Sequence, residues 1–275
     1  MNRQGDHTAV WRLIDTGPLS GRENMAIDEA LFRCFDPASS QPVLRLYGWQ
    51  PPALSLGRFQ KAAADLDLDR CRADNLTIVR RITGGGAIYH ADELTYSLVC
   101  GPSQIPAAAS VKDSFRVLTG FLLGLYRALG LQAAYAADLA PAGSRLGQRT
   151  PLCFAGKESY DILVNNRKLG GNAQRRSRQI IFQHGSIPLQ QRAAQCLRYL
   201  AIKPQGIEQA STCLAEQGIA VDNDQLQQAL VAQFQAQLGA SLQVGDLTDA
   251  ERALSQRLAA GKYCADCWNL EGTEP

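Results

Sequence analysis

The feature that most constrains this fold is a series of short β-rich segments joined by turns too short to hold a crossover helix. Residues 43–48 and 53–56 both have strand character and are separated by a four-residue segment that contains two prolines. Residues 160–165 and 167–170 meet at an Asn-Asn pair. Parallel neighbours need a crossover of about a dozen residues or more. Connections of hairpin length therefore predict antiparallel or mixed sheets.

Helical patterns alternate with these strands. Further strand character is found at residues 76–83, 87–90, 94–100 and 179–187, and helical periodicity at 24–34, 62–74, 111–129, 224–238 and 248–260. Asn24 is the predicted cap of the first helix. Thr248 and Glu251 form a capping box at the last helix, and Gly239 and Gly261 are expected to end the last two helices. We predict an α+β fold with mixed, largely antiparallel sheets flanked by helices.

Size and composition limit the domain organisation and the partners. A chain of 275 residues with 45% apolar content can bury one large core. We predict a catalytic core at residues 1–204 and a helical C-terminal segment at 205–275 that packs on it, with no separate accessory domain. The net charge of +2 argues against a nucleic-acid partner. Basic residues cluster locally at 167–178, which indicates a local anion site.

Neither a leader nor a membrane span is predicted. Residues 1–10 lack the apolar core of a signal peptide, and charge and glycines interrupt the apolar stretch 117–140. We therefore expect a cytoplasmic protein without a membrane partner.

The eight cysteines are irregularly spaced, and in the cytoplasm most should be reduced. Cys264 and Cys267 form a C-x-x-C pair, but no second pair or nearby histidine completes a zinc site. We expect no metal site and treat these two residues as ordinary thiols.

The first candidate site segment is R-R-I-T-G-G-G-A-I-Y-H at residues 80–90. Its glycines, Gly84, Gly85 and Gly86, allow the backbone to approach a ligand closely, with amide hydrogens directed at it. Arg81 can pair with a carboxylate or phosphate, and His90 can add a hydrogen bond. The alternative is a flexible hairpin tip with a surface histidine. The spacing fits neither a Walker loop nor a dinucleotide-binding fingerprint.

The second segment places Lys168 in a short strand that runs into Gly170, Gly171, Asn172 and Ala173. Strand residues alternate between faces, so if Leu169 packs inward, the lysine projects to the other face, where a pocket can lie. A lysine there can stabilise an oxyanion or a phosphate. The alternative is a solvated lysine on an edge strand, which protects against aggregation.

The third segment ends an apolar strand at His184 and Gly185. A lone histidine is more often structural than functional. The glycine beside it leaves space, however, so we keep both residues as site candidates.

Together with residues 24–30, these segments resemble, in order and spacing, the lipoate-protein ligase and octanoyltransferase family. Lys262-Tyr263 and Trp268-Asn269 resemble the segment that closes that family's catalytic domain. The resemblance implies a fold similar to biotin-protein ligases and class II synthetase cores. Thr83 and Gly170 are departures, because serine is frequent at the first position and alanine or serine at the second.

The resemblance also implies residue roles. Lys168 would contact the activated carbonyl or phosphate of the acyl group. The acyl or acyl-adenylate pocket would be lined by Arg81, Gly84, Gly85, Gly86, His90, Gly171, Asn172, Ala173, His184 and Gly185. The reaction would attach an octanoyl or lipoyl group to a lysine of a lipoyl carrier protein, either a lipoyl domain or a glycine-cleavage H-like protein.

Two routes to that amide are known in the family. A transferase moves the acyl group from acyl carrier protein to a cysteine and then to lysine, whereas a ligase uses ATP and Mg²⁺ to form an acyl-adenylate. Cys153 resembles the nucleophile of the Gram-positive type of octanoyltransferase, with Phe154 beside it and Tyr160-Asp161 following. Lys157 and Lys168 could favour its thiolate, although Lys157-Glu158 replaces the usual Pro-Ser. An inert core thiol is the alternative.

Chain length supports the transferase, because long bacterial ligases carry a further accessory domain. We therefore predict transfer through a Cys153 thioester, with the ATP-dependent ligase as the alternative and no tightly bound cofactor in either case. A non-catalytic acyl-binding module is disfavoured by Lys168 and the triple glycine. Biotin ligation is disfavoured because the Arg81 and Lys168 segments match the lipoyl branch better.

Overall fold

The computed structural model describes residues 9–106, 110–141 and 158–275. The strands in chain order are β1 (Val10–Leu19), β2 (Val43–Trp49), β3 (Ala53–Leu56), β4 (Thr77–Arg80), β5 (Ile88–His90), β6 (Glu93–Cys100), β7 (Ala133–Tyr135), β8 (Ile162–Val164), β9 (Arg167–Leu169), β10 (Gly171–Arg176), β11 (Ile181–Pro188), β12 (Ser211–Thr212) and β13 (Ser241–Val244).

The α-helices are α1 (Gly21–Cys34), α2 (Ala62–Asp65), α3 (Leu68–Ala73), α4 (Val111–Ala128), α5 (Ala136–Leu139), α6 (Ala193–Leu197), α7 (Ile207–Ala210), α8 (Asn223–Leu238) and α9 (Asp249–Ala260). Short 3-10 turns occupy Pro102–Gln104, Ala215–Gln217 and Lys262–Cys264, and a π-helical turn occupies Cys267–Glu271. None of the helices described here is long and apolar enough to cross a membrane.

Three sheets organise the described chain. A six-stranded sheet has the order β10-β11-β6-β2-β1-β13, a four-stranded sheet the order β12-β9-β8-β7, and a three-stranded sheet the order β4-β3-β5. Strands β2, β6, β11 and β10 pair antiparallel, whereas β1 pairs parallel with both β2 and β13. Mixed sheets flanked by helices confirm the predicted fold class.

Short connections behave in two ways. The Asn-Asn pair closes a true hairpin between β8 and β9, and Asn165 and Asn166 have φ of 50° and 61°. Asparagine tolerates this left-handed conformation, which two-residue hairpin turns require. The proline-containing segment after β2 instead carries the chain from the six-stranded sheet to the three-stranded one. A short connection therefore serves strand pairing in one place and a change of sheet in the other.

Helix α1 begins earlier than its apolar pattern suggested. Ser20 is the N-cap and forms a capping box with Glu23. Asn24, the predicted cap, is buried inside the helix and donates hydrogen bonds to the carbonyl oxygens of Leu19 and Gly48. The capping prediction for Asn24 is therefore wrong, because this amide satisfies the strand ends beside the helix. The capping box of Thr248 and Glu251 at α9 is confirmed.

The structure differs from the sequence-based prediction in two further elements. The single helix expected at residues 62–74 is two helices, α2 and α3, and Asp67 caps the second through the backbone N–H of Arg70. Strand β10 was not predicted, since its glycine and amides are typical of a loop. It is held by antiparallel pairing with β11.

The main core lies between the six-stranded sheet and helices α4 and α8. Trp11, Phe121 and Phe234 are fully buried there, with the Trp11 and Phe234 ring centroids 4.9 Å apart. The segment after residue 204 is mostly helical, but it also supplies β12 to the four-stranded sheet and β13 to the six-stranded sheet. The domain boundary at residue 204 stays a prediction.

Candidate active site

One cavity brings together residues from α1, from the six-stranded sheet and from the three-stranded sheet. The empty volume of the cavity is about 360 Å³, which includes the open solvent at its mouth. Its lining residues are Met25, Tyr47, Trp49, Ser55, Arg81, Ile88, His90, Thr95, Gly171, Asn172, Ala173, His184, Gly185 and Ser186.

Arg81 lies in the wall of this cavity and is almost fully buried. Its Nη1 donates to the carbonyl and the hydroxyl of Ser55, both at 3.1 Å. Its Nη2 donates to the carbonyl oxygens of Gly84 at 2.9 Å and Gly86 at 2.7 Å. The triple glycine therefore wraps around the guanidinium group.

The three glycines themselves are not among the lining residues of the cavity. Gly85 has a φ of 98°, and a Cβ there would lie 2.8 Å from Arg81 Nη2. Glycine fits this position because it has no side chain and accepts positive φ. The sequence predicts amide hydrogens directed at a ligand. The described contacts are instead carbonyl oxygens directed at Arg81.

His90 forms the centre of a first hydrogen-bonded chain. Its Nδ1 lies 2.7 Å from Glu93 Oε1, and its Nε2 lies 2.8 Å from Ser55 Oγ. Its ring stacks on Trp49 with 3.7 Å between centroids. Since a carboxylate accepts, Nδ1 carries the proton toward Glu93, and Nε2 is left to accept from the Ser55 hydroxyl.

Glu93 accepts two more hydrogen bonds. The Thr95 hydroxyl donates to Oε1 at 2.6 Å and the Ser186 hydroxyl to Oε2 at 2.9 Å. These contacts fix the carboxylate that orients His90, so the imidazole faces the cavity in a single orientation.

His184 forms a second chain of the same kind. Its Nδ1 faces Asp28 Oδ2 at 3.5 Å, and its Nε2 lies 2.7 Å from the Thr83 hydroxyl. Burial lowers the pKa of His184 more than the hydrogen bond and charge of Asp28 raise it. The ring is therefore neutral at pH 7 and accepts from Thr83 at Nε2.

Asp28 is the most heavily used carboxylate around the cavity. It receives Arg45 Nη1 at 2.8 Å, the Tyr47 hydroxyl at 2.9 Å and the Ser97 hydroxyl at 2.7 Å. Burial raises its pKa, but the hydrogen bond from His184 and the charge of Arg45 lower it more, so the pKa lies below its ordinary value. Asp28 is thus an ionised buried group with its partners in place.

Strand β10 forms the remaining wall through Gly171, Asn172 and Ala173. The Tyr96 hydroxyl donates to Asn172 Oδ1 at 2.8 Å. A Cβ on Gly185 would lie 2.1 Å from that oxygen, so the neighbouring strand admits only glycine. The small residue beside His184 is therefore explained by the close approach of the Asn172 amide.

Lys168 is 2% exposed, and its Nζ pairs with Asp161 Oδ2 at 2.8 Å. It lies on β9 in the four-stranded sheet and is not among the residues that line the cavity. The expectation of a solvated edge-strand lysine is wrong, because the side chain is buried and paired. Cys153, with Phe154 and Lys157, lies outside the described residues.

The structure thus joins most of the predicted binding residues around one cavity. Arg81, His90, His184 and Gly185 lie there with the three β10 residues, from segments far apart in the sequence. Several polar groups were missed, namely Asp28, Arg45, Ser55, Glu93, Thr95 and Ser186. A signal existed for Asp28, since a carboxylate within the apolar face of a predicted helix needs a buried partner.

Chemically, the cavity combines an apolar surface with a few fixed polar groups. Met25, Trp49 and Ile88 offer contacts for an aliphatic chain, while Arg81 and the two histidines place polar groups in the same wall. In the parts of the chain that the structure covers, no group of three or more His, Cys, Asp or Glu side chains could hold a metal ion.

Comparison with known proteins places this chain in a family. The sequence model of the Lipoyl protein ligase A/B catalytic domain matches residues 20–241. The chain is 37% identical over 270 residues to "Octanoyltransferase LipM" of Kyrpidia tusciae, covering 94% of this chain and 98% of the relative. It is 32% identical over 273 residues to "Octanoyltransferase LipM" of Bacillus subtilis, covering 95% and 98%.

Solved structures agree on the fold. A lipoate-protein ligase A bound with ATP superposes with a TM-score of 0.80 at 24% identity, covering 97% of this chain and all of that one. A bipartite lipoate protein ligase from Thermoplasma acidophilum gives a TM-score of 0.77 at 22% identity, covering 96% and 97%. With the sequence matches, these findings confirm the predicted fold and enzyme class, an acyltransferase or ligase. The chain belongs to the lipoyl protein ligase A/B catalytic domain family.

Proposed function

We propose that this enzyme transfers an octanoyl group from acyl carrier protein to a lysine of a lipoyl carrier protein, through a thioester on Cys153. The observation that carries the proposal is the convergence of seven predicted binding residues on one part-apolar cavity. The names of relatives at 31% to 38% identity, all octanoyltransferases, support this acyl group.

The first half-reaction would load the enzyme. The Cys153 thiolate attacks the carbonyl of the donor thioester, the carbon–sulfur bond to the donor breaks as the enzyme thioester forms, and the donor thiolate leaves and takes up the proton that Cys153 gave up. Thiolates are favoured by positive neighbours. The sequence from 142 to 157 contains Arg145, Arg149 and Lys157 and no Asp or Glu.

The second half-reaction would form the amide. The unprotonated acceptor amine attacks the Cys153 thioester, the amide forms, and the cysteine thiol is regenerated. Lys168 is our candidate for stabilising the charge that develops on the carbonyl oxygen. Its ammonium group contacts Asp161, which is eight residues after Cys153 in the sequence.

The cavity would hold the acyl chain between these steps. Met25, Trp49 and Ile88 would contact the aliphatic part, and Arg81, His90 and His184 would face the carbonyl end. In this proposal Gly171, Asn172, Ala173 and Gly185 form the wall, and Gly84, Gly85 and Gly86 act by positioning Arg81.

Intact mass spectrometry tests the proposal. Incubation with octanoyl-acyl carrier protein should add one octanoyl mass to the enzyme, and hydroxylamine should remove it, because a thioester is labile and an amide is not. Cys153→Ser should lose the adduct. Cys264→Ser is the matched control, since this thiol is exposed and should be dispensable. An adduct that persists in Cys153→Ser contradicts the thioester route.

The ATP-dependent ligase is the competing route, and the same enzyme preparation decides between them. A ligase releases pyrophosphate from ATP when octanoate or lipoate is present, and Cys153→Ser still modifies the acceptor. The acceptor in both assays is an isolated lipoyl domain, followed by an H-like protein. The Thermoplasma acidophilum ligase was studied with its E2 lipoyl domain, which makes a lipoyl domain the first acceptor to try.

Lys168→Ala tests the proposed charge stabiliser. Loss of one preorganised group of this kind typically costs about 10²-fold or more in rate. Asp161 would then be buried without its partner, so Lys168→Met combined with Asp161→Asn serves as the folding-matched variant. Transfer within about threefold of wild type in the double variant would contradict the assigned role.

A further inference from the structure

A second cavity, which we call the Glu93 cavity, borders the candidate acyl cavity at one buried carboxylate. Its empty volume is about 470 Å³, which includes the open solvent at its mouth. The two half-reactions proposed above assign no role to it. The lining residues that bear on its chemistry are Ala91, Glu93, Pro188, Ala193, Ile207 and Ser211.

Glu93 forms the partition between the two cavities. The residue itself lines the Glu93 cavity, whereas the three residues that hydrogen-bond to its carboxylate line the acyl cavity. His90 and Thr95 contact Oε1, and Ser186 contacts Oε2. Glu93 is 7% exposed, so its charge is largely withdrawn from solvent. A ligand bound to Glu93 from this side would therefore lie one side-chain contact away from the acyl cavity.

The Glu93 carboxylate has capacity for one more donor. A carboxylate oxygen can accept about two hydrogen bonds, and among the described residues Oε2 receives one, from Ser186. No Lys or Arg of the described chain lies within ion-pair distance of Glu93. Arg192, the one Lys or Arg among the described residues of the cavity wall, is paired with Asp92. Because buried charges are usually paired, this cavity favours a cationic ligand.

The remaining wall suits the stem of a lysine side chain. Ala91, Pro188, Ala193 and Ile207 supply an apolar surface beside the carboxylate. A lysine side chain is a flexible hydrocarbon stem that ends in a compact ammonium group. An apolar wall with a single unpaired carboxylate matches both parts of that side chain.

The Glu93 cavity also lies between two groups that the proposed chemistry uses. Ser211 in its wall belongs to β12, and it pairs in register with Lys168 on β9. Glu93 contacts His90, which lines the acyl cavity. The cavity is therefore bounded by the strand beside the proposed charge stabiliser and by a carboxylate beside the acyl cavity.

We propose that the Glu93 cavity admits the acceptor lysine and that Glu93 binds its ammonium group before the amine attacks the thioester. This inference rests on the proposed function and names the acceptor site of its second half-reaction. Charge separates the two substrates, because a lysine side chain is protonated at neutral pH whereas an acyl thioester group is neutral. A carboxylate without a cation therefore selects the acceptor.

The first test measures the second half-reaction alone, on enzyme already loaded with octanoyl and with an isolated lipoyl domain as acceptor. Ala193→Leu puts a larger side chain into the Glu93 cavity. The lipoyl-domain concentration for half-maximal transfer should rise about tenfold or more. Loading by octanoyl-acyl carrier protein should stay as in wild type. Ala194→Leu, which is exposed on the same helix α6, is the matched control and should change neither step.

The second test isolates the charge and covers the case in which Ala193→Leu does not fold. Butylamine carries an ammonium group on a stem as long as that of lysine, and hydroxylamine is uncharged at neutral pH. Glu93→Gln, loaded to completion, should need about tenfold more butylamine for half-maximal cleavage of its thioester. It should react with hydroxylamine as wild type does. A variant that only loses the orientation of His90 would slow both nucleophiles alike.

Each outcome decides the inference. An unchanged lipoyl-domain requirement in folded Ala193→Leu, or an equal rise in Ala194→Leu, overturns the acceptor site. Equal slowing of butylamine and hydroxylamine in Glu93→Gln also overturns it, because Glu93 then acts only through His90. A higher KM for octanoyl-acyl carrier protein with an unchanged lipoyl-domain requirement assigns the cavity to the donor instead. A wild-type enzyme that cannot be loaded removes the proposed function itself, before the acceptor step is reached.

Discussion

Two carboxylate–histidine–hydroxyl chains meet at the candidate acyl cavity, and they differ in how the carboxylate is compensated. In one chain Glu93 lies 2.7 Å from His90, which contacts Ser55. In the other Asp28 lies 3.5 Å from His184, which contacts Thr83. The ring is thus held tightly by its carboxylate in the first chain and loosely in the second.

The difference follows from a buried cation. Asp28 is already paired with Arg45, so its charge is satisfied without the histidine. No Lys or Arg lies within ion-pair distance of Glu93 in the portion of the chain described by the structure, and its charge is met by His90 and two hydroxyl groups. We infer that the Asp28 chain mainly stabilises the fold, whereas the Glu93 chain mainly orients His90.

Asp28→Asn should have the largest effect on stability. It removes the charge that compensates Arg45, which is fully buried, and breaking a buried ion pair typically costs about 3–5 kcal/mol. Urea unfolding followed by circular dichroism measures the change in the free energy of unfolding. A loss below about 1 kcal/mol would show that Arg45 finds other compensation and would break the comparison.

Glu93→Gln should reduce the free energy of unfolding less than Asp28→Asn does. Its main effect should be on activity. The amide keeps the shape and can keep hydrogen bonds to the hydroxyls, so we expect a loss of about 1–2 kcal/mol from the weakened charge-assisted contacts. Enzyme loading with octanoyl should slow, because the His90 ring loses its anchor. Unfolding and loading are measured on the same preparation, and a stability loss equal to that of Asp28→Asn would contradict the distinction.

The pH dependence of stability should reveal the contribution of His184. Burial holds its pKa below the ordinary value of about 6.5, so between that value and the folded-state pKa the unfolded chain binds more protons than the native protein. Stability should therefore fall as the pH drops from 7 toward 5. The lowered pKa of Asp28 acts in the same direction, but only below its ordinary range near pH 4.

His184→Gln is the comparison for that measurement. Stability determined at several pH values from 7 to 5 should decline less steeply in the variant than in wild type. His184 is faced by Asp28, Arg81 and His90, and these residues are retained in the variant. An identical slope in both proteins would mean that another group is responsible.

Thr83→Ser should have the smallest effect on the free energy of unfolding. Serine keeps the hydroxyl that contacts His184 and loses one buried methyl group, which costs about 1 kcal/mol or less. Thr83→Val is the matched control, because it keeps the shape and leaves His184 Nε2 without its donor, at a cost of about 1–3 kcal/mol. If valine is tolerated better than serine, the hydroxyl contact has no role in the second chain.

Local patterns predicted most elements of the fold but not their partners. The turn at Asn165 and the capping box at Thr248 depend on neighbouring residues alone, and both are confirmed. Local patterns did not predict strand β10, because its glycine and amides have low strand propensity. Pairing with β11 holds these residues extended. The pairing of β13 with β1 joins residues more than 200 positions apart, which no local pattern encodes.

The candidate site divides in the same way. Arg81, His90 and His184 were identified because motif order and residue chemistry are visible in the sequence. Ser55, Glu93 and Thr95 were missed because ordinary strand residues become hydrogen-bond partners only when β3, β5 and β6 are brought together. The interpretation of Lys168 changed as well, since its burial and its pairing with Asp161 depend on the packing of the four-stranded sheet.

The sequence by itself determined the family, the mixed α+β class and the segments that meet at the cavity, because these depend on periodicity, turn chemistry and the order of motifs. Only the tertiary structure decided which carboxylate faces which histidine, that the triple glycine surrounds Arg81, and that Arg175, Arg176 and Arg178 lack carboxylate partners among the described residues. The physical reason is that hydrogen bonds and ion pairs depend on distances of about 3 Å between groups far apart in the chain, and packing alone sets those distances.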